Sequence, residues 1–252
     1  MPLLYLSLTF YFVAFLASTL SHFTNILKGL DLFFVLLALF MYMAYAVMLS
    51  FKVGSFPFAD TYGFYSLLGS GMLLVLVLLS VYQPYLRKFS AVFPIVGILS
   101  TALALPAEPS PYRNPLYTLH ITSALLSYAL AFFAGFSSLL KIIAESRLKQ
   151  KTLSTFFIPI NLLRTSERFS VNMSFVFLTL TLIFGSLFSR SFFGKHWIDD
   201  PKLIYVLILW LYYVFLVHLN LLGRIKPKTL SYGAIGGMLL SGMNLLFIRH
   251  EL

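Results

Sequence analysis

Five histidines, His22, His120, His196, His218 and His250, stand in a chain whose 252 residues are 60% hydrophobic and only 10% charged. Imidazole ligates transition metals in its neutral form, so it can do so in apolar surroundings where a charged ligand is costly. The chain has no cysteine, which removes thiol nucleophiles, disulfides and thiolate ligation. The sequence also lacks a glycine-rich phosphate loop and a G-x-S-x-G elbow, so nucleotide hydrolysis and acyl transfer have no foothold. What remains is metal ligation by histidine, and its geometry depends on where the histidines fall relative to the apolar segments.

A membrane span needs about 20 apolar residues to cross about 30 Å of hydrocarbon. Eight runs qualify: Leu3–Leu20, Leu32–Ser50, Tyr65–Tyr82, Phe89–Leu105, Leu116–Ile143, Phe169–Ser189, Leu203–Leu222 and Leu230–Ile248. The longest connection runs from about Ala144 to Arg168. The expected fold class is an all-α polytopic membrane helix bundle of eight spans, a single integral membrane domain over residues 1–252. No basic residue precedes the first run and Lys28 follows it, so the run reads as a span and not as a cleaved signal. Alternate assignment of the connections puts Lys28, Arg87, Lys88, Lys141, Arg147, Lys149, Lys151, Arg164, Arg168, Arg224, Lys226 and Lys228 on one side. Lys52, Arg113, Arg190, Lys195, Lys202 and Arg249 fall on the other. By the positive-inside rule both termini lie on the outer side of the plasma (inner) membrane. The net charge of +10 mostly reflects this asymmetry. The expected partner of the basic residues is therefore membrane lipid, not nucleic acid.

In that orientation His120 opens the fifth span at its outer end and His250 follows the eighth at its outer end. His22 marks the inner boundary of the first span. His218 lies about four residues, or roughly 6 Å, before the inner end of the seventh. Two histidines outside and two inside match two axially ligated hemes. Heme iron takes one imidazole on each face, the porphyrin needs an apolar slot, and its propionates need cations nearby. Spacing alone does not pair the four. A histidine at a helix end commonly just bonds headgroups or carbonyls, whereas an ionisable group inside a span, as at His218, points more strongly to function. His196 reads as a loop residue. The outer connections Gly54–Asp60, Pro106–Pro115 and Arg190–Lys202 are aromatic or proline-rich and suit a flat apolar ligand. The inner connection carrying Lys149, Lys151, Ile158, Leu162, Leu163, Arg164 and Arg168 reads either as an interfacial helix on the anionic leaflet or as a basic tether that only sets topology.

Four stretches carry a family resemblance. Gly54-Ser-Phe-Pro-Phe-Ala-Asp-Thr-Tyr62 matches a G-x-F-P-x-x-D/N-x-Y-E entry to a span, with Gly63 in place of the acid. Leu119-His-Ile through Ser127-Tyr128-Ala matches an H-V segment with a downstream Y-A. Gly194-Lys-His-Trp-Ile-Asp-Asp-Pro-Lys202, then Trp210 and His218, matches a tryptophan-rich loop, D-P-K, and the following tryptophan and histidine. Gly242-Met-Asn-Leu-Leu, ending at His250, matches a closing G-x-N-L-L and its outer histidine. From about Gly54 to its end the chain resembles the CcsA/ResC-type membrane proteins of cytochrome c biogenesis. It departs from them at Phe193 and Asp199, which replace tryptophans, and at Leu203, which replaces an acid.

The resemblance implies that His120 and His250 are axial ligands of an outer heme b site, with the Trp197–Lys202 loop, including Asp200 and Pro201, between them. It implies that His218 ligates heme inside the bilayer. The second inner ligand comes from a ResB/CcsB-type partner, with His22 as the alternative within this chain. Lys195, Lys202, Arg113 and Arg249 are propionate partners by charge and sidedness. The implied function is covalent attachment of heme to an apocytochrome c through its C-x-x-C-H segment, as a subunit of a heme lyase complex. A HemX-like regulator or scaffold of tetrapyrrole metabolism is the competing reading. A solute transporter is disfavoured, because no inverted repeat or pair of broken spans is visible.

Overall fold

The computed structural model describes residues 1–21, 29–82, 91–151 and 159–247. Among them the regular structure is helical, apart from one isolated antiparallel bridge between Phe58 and Pro109. The helices are α1 (Pro2–Ser21), α2 (Leu30–Val53), α3 (Thr61–Tyr82), α4 (Val92–Ala102), α5 (Pro115–Lys149), α6 (Ile160–Phe193), α7 (Pro201–Leu221) and α8 (Pro227–Phe247). They fall into two compact units, residues 1–115 and 116–252. By length and composition α1, α2, α3 through Leu78, α5, α6 and α7 can each cross a membrane, which makes this a polytopic helical membrane protein. Described α4 is shorter, at 11 residues, than the predicted run Phe89–Leu105, part of which lies outside the described residues.

These helices are apolar on every side, so a hydrophobic stripe cannot mark the inner face. Small and hydroxyl-bearing residues mark it instead, because lipid competes well for large apolar side chains but poorly for close backbone packing. In α1 the buried positions are Leu4, Ser7, Tyr11, Ala14, Ala17 and Ser18, while Tyr5, Phe12, Leu16 and Leu20 are exposed. In α2 they are Asp31, Val35, Ala38, Leu39, Tyr42 and Ala46. Ser7 Oγ donates to the Ala38 carbonyl at 2.8 Å, and the Tyr42 hydroxyl shares a 2.6 Å bond with Ser66 Oγ of α3. Tyr11 lies across Gly97 of α4, where a Cβ would overlap the phenol ring.

The connections of the first unit are built tightly. Gly54 ends α2 at φ +73°, a left-handed conformation that suits glycine, and Asp60 Oδ1 caps α3 by accepting from the Gly63 N–H at 2.9 Å. Ala59 N–H donates to the Glu108 carbonyl and Ser110 N–H to the Pro57 carbonyl, which ties the two proline-containing connections together. Phe58 is buried beneath this tie, and any Cβ at Gly63 would overlap its side chain. An acid at position 63 would meet the same overlap. Gly63→Glu is therefore expected to destabilise the 1–115 unit by about 1–3 kcal/mol, through overpacking. Phe58→Ala in the same chain should recover part of that loss, as read from thermal unfolding in detergent.

The second unit is an antiparallel four-helix arrangement. Along α5 the buried positions Tyr117, Ala124, Ser127, Tyr128, Ala131, Ala134, Gly135, Ser138 and Lys141 recur every three to four residues. Ser127 and Ser174 exchange hydroxyl-to-carbonyl bonds at 3.0 Å between α5 and α6. Gly135 of α5 meets Met238 of α8, and the Tyr212 hydroxyl of α7 donates to the Gly233 carbonyl of α8 at 2.7 Å.

The connection between α5 and α6 differs from the sequence expectation. Helix α5 continues through Lys149 and α6 starts at Ile160, so Lys149, Leu162, Leu163, Arg164 and Arg168, expected in a separate interfacial helix, instead extend the two spans, while Lys151 stands in a turn. The run Ala144-Glu-Ser-Arg-Leu-Lys contains no helix breaker, and Pro159 sets the start of α6. Ile158 lies outside the described residues. Lys141, counted above as a surface charge, is 1% exposed and pairs with Glu167, itself 0% exposed. Glu167 also accepts from Ser138 Oγ at 2.7 Å, and Lys141 Nζ donates to the Pro227 carbonyl at 3.3 Å.

Candidate functional site

His120 is the sixth residue of α5 and is half-buried against α6. Its Nδ1 lies 2.9 Å from the Thr181 carbonyl oxygen. A carbonyl only accepts, so in the neutral ring Nδ1 carries the proton and Nε2 is the basic nitrogen. The Cε1–Nδ1 edge of the ring faces Gly185, where a Cβ would stand 2.9 Å from both atoms. One turn further along α5, Ser123 Oγ donates to the Leu119 and His120 carbonyls and accepts from Thr181 Oγ1 at 3.2 Å. Toward the start of α5, buried Tyr117 packs on Phe188 at 5.4 Å between centroids, and Phe188 stacks on Phe192 at 5.6 Å.

His218 lies near the end of α7 on its exposed side. Its Nδ1 is 2.7 Å from the Val214 carbonyl one turn back, which again makes Nε2 the basic nitrogen. Phe175 of α6 meets the imidazole edge-on at 6.2 Å and stacks on Trp210 at 6.3 Å. Trp210 Nε1 donates to Thr179 Oγ1 at 2.9 Å. Trp210, Phe175 and His218 thus form one aromatic column between α6 and α7.

The connection between α6 and α7 folds back on the end of α6. Gly194 closes α6 at φ +75°, and Ser189 Oγ donates to the Lys195 carbonyl at 2.7 Å. His196 is exposed, with Nδ1 3.1 Å from Ser186 Oγ and Nε2 3.1 Å from Arg190 Nη1. A guanidinium only donates, so Nε2 accepts and Nδ1 donates to the serine. Both nitrogens are thereby engaged within the loop and helix end, in keeping with a loop residue. Trp197 is 44% exposed. Asp200 is buried and its Oδ1 accepts from the Lys202 N–H at 2.6 Å, while Pro201 opens α7. Asp-Pro-Lys is thus a helix start, and it anchors the loop that carries Trp197.

His22, His250 and Arg249 lie outside the described residues, and Arg113 is exposed in the connection before α5. Sequence reasoning missed Thr181 and Gly185, the partners of His120, and the Ser138–Lys141–Glu167 cluster. The available signal was a lone glycine in the run Leu182-Ile-Phe-Gly-Ser, four residues after Thr181 and so on the same face of α6.

The fold and these residues define a class: a polytopic helical membrane protein that presents imidazoles, held by backbone carbonyls, from within apolar helices. The chain belongs to the cytochrome C assembly protein family, which it matches over residues 1–251. It is 28% identical over 164 residues to the cytochrome c biogenesis protein CcsA of Cyanidium caldarium, covering 52% of this chain and 56% of that one. It is 28% identical over 118 residues to CcsA of Chlamydomonas reinhardtii, covering 47% and 33%. With CcsA of Prochlorococcus marinus (strain MIT 9303) the identity is 24% over 237 residues, covering 77% and 74%. The match thus takes in 56% of the first of these relatives and 33% of the second.

Proposed function

We propose that this chain binds heme b and presents it at the outer face of the plasma membrane for covalent attachment to apocytochrome c. Family membership supports the assembly role. The observation that carries the heme reading is the shared state of His120 and His218: each has its Nδ1 proton held by a backbone carbonyl, so that Nε2 is the donor nitrogen. A carbonyl that holds the Nδ1 proton fixes the tautomer and orients the ring in the way that suits an imidazole for iron. Bound heme supplies the chemistry through its two vinyl groups. Each cysteine thiol of a C-x-x-C-H segment adds across one vinyl C=C, sulfur to one carbon and hydrogen to the other, so the addition itself calls for no external oxidant.

The chain's own part is positioning. His218, with a ligand from a ResB/CcsB-type partner or from His22, receives the heme within the bilayer. His120 and His250 hold it at the outer face, and the Trp197 loop, set by Asp200 and Pro201, lies against its vinyl edge. Lys195, Lys202, Arg113 and Arg249 supply cations for the propionates. Both termini lie on the outer side in this reading.

The test is an absorption spectrum of the detergent-purified protein, oxidised and then dithionite-reduced, for the wild type and for His→Ala at His22, His120, His218 and His250. The expected result is a low-spin bis-imidazole spectrum that weakens in His120→Ala and His250→Ala. A protein that carries no heme even when co-expressed with its partner would instead support the HemX-like scaffold reading.

A further inference from the structure

Thr181 and Gly185 of α6 lie across from His120, and neither belongs to a motif described above. We infer that this pair is a positioning device for His120, in which the Thr181 carbonyl selects the ring tautomer and the bare position at 185 admits the ring to that carbonyl. The inference rests on the reading of His120 as a heme ligand and deepens it by naming what holds that ligand in place.

Helix geometry directs the Thr181 carbonyl toward the Gly185 N–H four residues on. A second donor reaches the same oxygen only where the side chain at 185 leaves room. The imidazole does so, with Nδ1 at 2.9 Å from the oxygen. An alanine Cβ at 185 would stand 2.9 Å from Nδ1 and Cε1, inside van der Waals contact, so the ring must shift from the place in which it meets the carbonyl. The atoms that a Cβ at 185 meets belong to the His120 side chain and not to backbone, and a side chain shifts at lower cost than a helix. The displacement therefore falls on the imidazole. Loss of such an outer partner costs about 10-fold to 100-fold in affinity at metal sites.

The experiment uses the full chain in lipid nanodiscs with 15N-labelled histidine, as wild type, Gly185→Ala, His120→Ala and the double variant. Gly71→Ala is the control, since a Cβ there meets nothing within 4 Å. Without heme, the His120 signal, assigned by its loss in His120→Ala, should report a proton on Nδ1 in wild type and a shift toward the other tautomer in Gly185→Ala. On titration with heme b, Gly185→Ala should bind about 10-fold to 100-fold more weakly, with no further loss on addition to His120→Ala. Added imidazole should restore the low-spin spectrum of Gly185→Ala. An unchanged tautomer in Gly185→Ala, a further loss in the double variant, or failure of imidazole to restore the spectrum would overturn the inference. If His120→Ala binds heme as wild type does, the ligand reading fails, and the tautomer measurement still decides whether Gly185 positions the ring.

Discussion

Glu167→Ala is expected to destabilise the 116–252 unit by about 3–5 kcal/mol, because it leaves Lys141 buried without its counter-charge. Among the described residues, the lysine ammonium would keep the Pro227 carbonyl, at 3.3 Å. Three elements converge there: Ser138 and Lys141 from α5, Glu167 from α6, and the first residue of α8. The pair itself contributes less than this loss suggests, since desolvation of both charges offsets most of their attraction. Lys141→Met with Glu167→Leu should therefore stand within about 1 kcal/mol of wild type, or above it. Thermal unfolding followed by fluorescence-detected gel filtration in detergent measures both. The single variant should lose on the order of 10 °C. A Glu167→Ala protein that melts with wild type would show that the ammonium finds other solvation.

On the proposed reading of His120 as a heme ligand, His120→Ala is expected to lower the yield of holocytochrome c in cells by about 100-fold, since removing a ligand should cost at least as much as removing its outer partner. His196→Ala is the informative contrast. Both of its ring nitrogens are already engaged by Ser186 and Arg190, so its loss should change the yield no more than a few-fold. Heme-stained gels of membrane fractions, normalised to the amount of this chain, provide the readout. Equal yields from His120→Ala and wild type would remove His120 from the outer site.

The helices were legible in the sequence because each is an apolar run bounded by proline, glycine or charge. Which side of each helix faces inward was not legible from hydrophobic period, since the lipid-facing side is equally apolar. Tyr5 and Phe12 of α1 are exposed, while Ser7 and Ser18 are buried. The end of α5 and the start of α6 are hard to read from sequence because charged residues in a helix resemble a connection. Glu145, Arg147 and Lys149 extend α5 beyond its apolar run without breaking it. His120 and His218 were legible as candidates because an imidazole stands out among leucines. Their partners were not, because Thr181 and Gly185 approach His120 only once α6 has folded back along α5. Asp200 and Pro201 drew notice as motif residues, and the structure gives them the work of starting a helix.

Helix α6 carries no histidine, yet it holds the surroundings of both His120 and His218. Phe175 and Thr179 serve the column that ends at His218, and Thr181 and Gly185 serve His120. One residue inserted between Thr179 and Thr181 would turn everything beyond it by about 100° and carry the second pair off its face while leaving the first in place. The spacing along this stretch is therefore a phase as much as a distance. A relative that gains or loses length here can keep both stations only by changing whole turns, whereas the loop from Gly194 to Asp199 carries no such phase.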